Sequence, residues 1–184
     1  MKTLVALAAG ALIAMPALAQ KLSNDKQAAL KQLAQGNVAE IKAGQMGVQK
    51  AQNPEVKKFA QLMVTDHTGV NKSAKDLVTK LKVKPEDNPT AESLKKGGEE
   101  NVKHLKTLKG AAFDKAYVEH EVAYHQQVVD AMDKTLIPSA QNAELKALLV
   151  KVRPAFIAHL EHAKQLQSSL EKKAAAINHS HMAG

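Results

Sequence analysis

Glu121 and His125 stand four residues apart in the middle of an otherwise apolar stripe made by Phe113, Tyr117, Val118, Val122, Val128, Val129 and Met132. On a helix turning about 100° per residue, side chains at i and i+4 point toward one partner. A carboxylate in such a stripe carries a heavy desolvation cost unless it is paired, hydrogen-bonded or metal-bound. Two other segments repeat the pattern. His67 falls inside the stripe Val56, Phe59, Ala60, Met63, Val70, Ala74 and Leu77, with Asp66 at its border, and His159 falls inside Leu145, Leu149, Val152, Phe156, Leu160 and Leu166, with His162 one turn on. Glu40 lies at the edge of a fourth stripe, beside Ile41 and Gly44. Inward imidazoles and carboxylates on several helices are how bundle-core metal sites are built, and this donor mixture suits iron, manganese, zinc or copper. Glu40, Asp66, His67, Glu121, His125 and His159 are therefore the candidate metal ligands. The competing reading of the same residues is a closed hydrogen-bond network, Glu121 to His125 to His67 or His159, that sets helix register without a metal.

These residues need helices to position them. Apolar residues recur at spacings of three and four, and no stretch has strand periodicity. The pattern predicts a first helix from Asn24 to about Gln52 and a second, opened by Asn53-Pro54-Glu55, reaching about Leu81. A connector follows over Lys82 to Thr90. Ala91 to Lys109 is predicted as a short, weak helix interrupted at Gly97-Gly98, because glycine is a poor helix former. A third main helix spans about Ala112 to Thr135 and ends before Pro138. The fourth spans Asn142 to Ala175, with Pro154 inside it predicting a kink or a late start. The fold class expected is all-α: an antiparallel four-helix bundle with an extra short helix between the second and third main helices.

The ends and the composition bound the setting. Lys2, the apolar run Leu4 to Ala14 and Ala17-Leu18-Ala19 make the three parts of a cleaved signal peptide over residues 1–19, so the expected address is the periplasm. Residues 20–177 then form the bundle, and 178–184 a disordered tail. No later run is long and apolar enough to be a transmembrane segment. The net charge is +8, but the lysines alternate with acids and amides, aromatics are 3% of residues and Arg153 is the single arginine. That leaves no stacking or bidentate-reading groups for nucleic acid. With no cysteine, no phosphate-cradling glycine loop and no Gly-x-Ser-x-Gly elbow, hydrolytic and nucleotide-dependent chemistry have no support, and no catalytic residue is assigned. The tail motif His179-Ser180-His181-Met182 has donors for Cu²⁺ or Ni²⁺.

Val38-Ala39-Glu40-Ile41 with Gly44, Asn53-Pro54-Glu55-Val56-Lys57, Phe59, Met63-Val64-Thr65-Asp66-His67, Phe113-Asp114 with Tyr117, Val122 and His125, and Arg153-Pro154 with His159-Leu160 together resemble the domain-of-unknown-function 4142 family. The resemblance covers most of the mature chain. It implies an exported, ferritin-like bundle of unsettled activity, often labelled a predicted outer membrane protein, and it marks Glu40, Asp66, His67, His125 and His159 as matched polar positions. Ferritin-like di-iron sites carry Glu-x-x-His on two helices, whereas here the pattern is Asp66-His67, Glu121-x-x-x-His125 and His159-x-x-His162. Three functions compete: a metal-binding bundle in envelope stress or metal handling, a metalloenzyme acting on oxygen or peroxide, and a metal-free protein that associates peripherally with the envelope through its lysine-rich faces.

Overall fold

The computed structural model describes the backbone of residues 26–182 and the side chains of 29–176. The expected signal peptide, the helix start at Asn24 and the metal-binding motif of the tail lie outside these limits. The described residues form five main helices and no strand: α1 (Lys26–Lys50), α2 (Pro54–Leu81), α3 (Pro89–Thr107), α4 (Gly110–Ala131) and α5 (Ala143–Met182).

Local chemistry accounts for the boundaries. Asn53 accepts hydrogen bonds from the Glu55 and Val56 N–H groups, Asn88 from Ala91 and Asn142 from Leu145, so one asparagine type opens three helices. In α2 and α3 a proline follows the asparagine, where its missing N–H is no loss. Lys82 ends α2 in the left-handed conformation at φ 49°. The three-residue link between α1 and α2 is held by Asp114, whose two carboxylate oxygens accept from the Gln52 and Asn53 N–H groups at 3.1 and 2.8 Å. Pro138 has no N–H to give the helical ladder. The chain there passes through a π-helical turn, Met132–Leu136, in which Ile137 N–H reaches the Met132 carbonyl, and a last turn Ile137–Ser139. The third main helix thus continues past the stop expected before Pro138. Pro154 lies inside α5, which starts at Ala143 and not late, and α5 runs to Met182, beyond the expected end at Ala175 and into the segment expected to be disordered.

The core has two apolar halves. One gathers Leu30, Val70, Leu77, Met132, Leu149 and Phe156, and the other Ala43, Phe59, Met63, Phe113, Tyr117 and Leu166. Chain direction follows from this division. α1 and α5 run from the first half to the second, while α2 and α4 run from the second to the first. α1 packs on α2 and α4, and α5 packs on α2 and α4, so each of these neighbours runs opposite to its partner. Because α2 and α4 share a direction, the chain must be carried back along the bundle between them. That is the work of α3.

α3 packs on α1 and is unbroken through Gly97-Gly98, contrary to the expected interruption. The reason is contact, since a Cβ built on Gly98 would stand 2.4 Å from the Ala39 Cβ. Lys50 closes the end of α3 by donating to the Leu105 and Lys106 carbonyls. Among the described residues no helix is long and apolar enough to cross a membrane. The exposed lysines form i, i+3 and i, i+4 ion pairs such as Lys72–Asp76 and Lys134–Asp130, which are worth little individually and mark solvated faces.

A Cβ on Gly47 would meet the Ala60 Cβ at 2.6 Å and the Tyr117 ring at 3.3 Å, whereas one on Gly69 would meet nothing within 4 Å. Gly69→Ala should therefore stabilise the fold by roughly 0.5–1 kcal/mol through helix propensity. Gly47→Ala should destabilise it by roughly 1–3 kcal/mol through overpacking, despite the same propensity gain. Urea titration of both variants measures the contrast, and two shifts of equal sign would refute the close approach of α1 to α2.

Candidate metal centre

On each of the four bundle helices the polar residues sit where the chain leaves one apolar half for the other. α1 supplies Asn37 and Glu40, α2 Asp66 and His67, α4 Glu121 and His125, and α5 His159. His67, Glu121 and His125 are 0% exposed, Glu40 and Asn37 1%, and His159 3%. Glu40, placed at a stripe edge by periodicity, is thus as buried as Glu121. The Glu40 carboxyl is turned toward α4, where His120 and Glu121 stand beside it.

Three imidazoles converge. The ring centroids of His67 and His125 are 5.6 Å apart, those of His67 and His159 5.5 Å and those of His125 and His159 5.2 Å. One nitrogen from each lies within 4.8 Å of the others. Nitrogens bound to one ion at about 2.0–2.1 Å stand roughly 3.3 Å apart in a tetrahedral site, so small side-chain rotations bring the three onto one ion.

Each ring has one nitrogen engaged and one without a partner. His67 Nδ1–H donates to Asn37 Oδ1 at 2.7 Å, His125 Nδ1–H to the Glu121 main-chain carbonyl at 2.9 Å, and His159 Nε2–H to Asp66 Oδ2 at 2.8 Å. These acceptors fix the tautomers. The lone pairs are left on His67 Nε2, His125 Nε2 and His159 Nδ1, all buried and unpartnered. Burial holds the rings neutral: His67 is lowered to about 2 by desolvation and then by its two histidine neighbours, and His125 to about 3, again mainly by desolvation. Neutral imidazole is the form that binds metals.

The carboxyls form an adjoining group. Glu40, Glu121 and His125 offer donor atoms within 4.8 Å of one another, and the Glu121 carboxylate lies 3.4 Å from His125 Nδ1. His120 Nε2, on a side chain 28% exposed, stands 3.6 Å from Glu40. No hydrogen bond of normal geometry reaches any of the four carboxylate oxygens or the Tyr117 hydroxyl. Burial raises Glu40 to about 7 and raises Glu121 well above the carboxylate range, where the charge of Glu40 adds to the effect.

Ten buried side-chain atoms lack partners among the described residues, and all but Asn71 Oδ1 belong to this layer. Periodicity missed Asn37 and His120, although Asn37 lies three residues before Glu40 and His120 beside Glu121. Tyr117, a member of the apolar stripe, is buried with its hydroxyl. A cavity of about 120 Å³ reaches the layer at Asn37, Tyr124 and Phe156.

The buried groups set an unusual pH dependence for the metal-free protein. A histidine whose folded pKa is depressed weakens the fold as pH drops below its unfolded value of 6.5, because the unfolded chain then binds the extra proton. A carboxyl whose folded pKa is raised weakens the fold as pH climbs above its unfolded value of 4.5, because the unfolded chain then releases the proton first. Between these values the two classes oppose each other, and above 6.5 only the carboxyls act. Chelated protein should therefore lose stability from pH 6.5 toward 8, by about 1.4 kcal/mol per unit for each carboxyl still protonated in the fold. Glu121→Gln should flatten that decline in urea titrations across the same range, and an equal decline in the variant would rule out this origin.

No curated protein matches the chain. The solved structure described as CopM in the Cu(II)-bound form is similar, with a TM-score of 0.60, 18% sequence identity, and coverage of 78% of this chain and 96% of that chain. At this identity the likeness is one of fold. The family model described as a domain of unknown function (DUF4142) matches residues 12–166, and the chain belongs to that family.

Proposed function

We propose that this protein is an exported, ferritin-like helical bundle of the periplasm that holds a transition-metal ion on His67 Nε2, His125 Nε2 and His159 Nδ1 and serves metal handling in the envelope. One observation carries the reading: three buried neutral imidazoles, each oriented by a hydrogen bond on one nitrogen, keep the other nitrogen unpartnered in rings whose centroids stand 5.6, 5.5 and 5.2 Å apart. Leaving such atoms unsatisfied costs about 1–3 kcal/mol each, and a bound ion removes that cost. Asn37, the Glu121 carbonyl and Asp66 then act as the outer acceptors that hold the ligating rings.

The donor set selects among ions. Three neutral nitrogens suit copper and zinc better than manganese or iron(II), which prefer more oxygen and stand lower in the affinity series. The fold neighbour was solved with Cu(II) bound, which makes copper the first ion to test. The periplasmic assignment rests on the charged, apolar and Ala-x-Ala pattern of residues 1–19.

A second reading is favoured by the cavity at Asn37, Tyr124 and Phe156, which gives a small neutral molecule a route to the ion and would suit chemistry on oxygen or peroxide. Peroxide consumption by copper-loaded protein, measured beside the same protein stripped of metal, separates this reading from handling alone.

Elemental analysis of untagged protein purified without chelator should find at least one equivalent of copper or zinc. The His67→Ala/His125→Ala variant should lose at least one equivalent. Metal at one hundred times its Kd should also stabilise the wild type by about 2.7 kcal/mol and leave the variant unmoved. No metal in either protein, with reduced thermal stability in the variant, would make the layer structural and overturn the proposal.

A further inference from the structure

The carboxyl group of residues beside the trihistidine cluster is not explained by one ion. A four-coordinate ion that takes three imidazoles has room for one more ligand. At least one of the two buried glutamates would then have only the other carboxyl, Tyr117 and an imidazole at 3.4 or 3.6 Å to answer its oxygens in a dry interior, and none of these contacts has full hydrogen-bond geometry. The donors are also sorted by chemistry. The neutral nitrogens of His67, His125 and His159 make one group, the carboxyl oxygens of Glu40 and Glu121 the other, and His125 belongs to both.

Two further residues close the carboxyl group. Tyr117, fully buried, sets its hydroxyl beside the Glu121 carboxyl from within the same helix, and His120 offers an imidazole 3.6 Å from Glu40 on the side nearer solvent. We infer that Glu40 and Glu121 bind a second divalent cation next to the trihistidine ion, with His120 beside them and His125 standing between the two ions. Two carboxylates cancel the charge of a dication, which the trihistidine set cannot do, so this position favours a harder ion such as Mn²⁺, Fe²⁺ or Zn²⁺. The inference rests on the metal-binding reading of the same layer, and the two can fail separately.

Zinc, which both donor sets accept, is the probe. Metal-free protein carrying His179→Ala/His181→Ala, so that the tail imidazoles add nothing, is equilibrated with excess Zn²⁺, desalted and analysed for bound metal. The same is done with Glu40→Gln/Glu121→Gln and with His67→Ala/His159→Ala added, and helical circular dichroism confirms that each variant is folded. Glutamine keeps the shape of glutamate and removes its buried charge, so the glutamate variant is expected to fold at least as stably as its parent.

The expected counts are about two equivalents in the parent and about one in each variant. One equivalent in the parent that survives the glutamate change would overturn the second site and leave the trihistidine reading standing. One equivalent lost in both variants would show a single shared ion and also overturn it. One equivalent lost with the glutamates and kept without the histidines would retain the carboxylate site and refute the trihistidine reading. None in the parent would refute both.

Discussion

The structure depends on the desolvation of one polar layer. Glu40, His67, Glu121, His125 and His159 are all but fully withdrawn from water, and each sits where its helix crosses from one apolar half of the core to the other. Sliding any helix by a turn would carry a carboxylate or imidazole into one of the apolar halves and an apolar side chain into the layer. Both moves are penalised, so the layer locks the register of four helices at once. Hydrophobic burial above and below holds the bundle together. The layer decides which bundle it is.

That layer exists because α1 comes unusually close to its neighbours. Gly44 and Gly47 let α2 approach until a Cβ at either position would touch the Ala60 main chain or side chain, and Gly98 does the same for α3 against Ala39. Close approach brings Asn37 within 2.7 Å of His67, and Glu40 of the same helix stands beside His120 and Glu121 of α4. The glycines weaken isolated helices, and the contacts they permit return that stability as packing. A fold that spends helix propensity on proximity, and proximity on unsatisfied donors, is organised around its site and not around maximal stability.

Periodicity alone exposed much of this. It located Glu121 and His125 on an apolar face, matched the start of α2 at Asn53-Pro54 and set the order of the helices, because capping and amphipathicity are local. What it misjudged depended on a second helix. Glu40 looks marginal until α4 sets His120 and Glu121 beside it, Gly97-Gly98 looks like a break until Ala39 is seen against Gly98, and Asn37 has no role until His67 is placed beside it. Asp114 likewise has no role visible in its own helix, and the structure shows it gripping the α1–α2 link. Pro138 failed as a stop signal because a π turn absorbed it, a compensation set by the packing of Met132 in the core.

The same burial that builds the layer also sets how an ion could move through it. The three imidazoles and two carboxyls are at most 3% exposed, and the residues leading outward are Asp66 beside His159 and His120 beside Glu40, each only partly accessible. The cavity that reaches Asn37 is walled largely by Leu33, Leu94, Val128 and Leu136, which suit a neutral molecule better than a hydrated cation. An ion held as proposed would have to shed water before it met these side chains and would leave only when the helices open locally. Slow exchange follows from this arrangement, and slow exchange suits retention of a metal more than rapid turnover. Asp66 and His120 are the two places where charge at the rim could lower that barrier, since each touches solvent and a buried ligand at once.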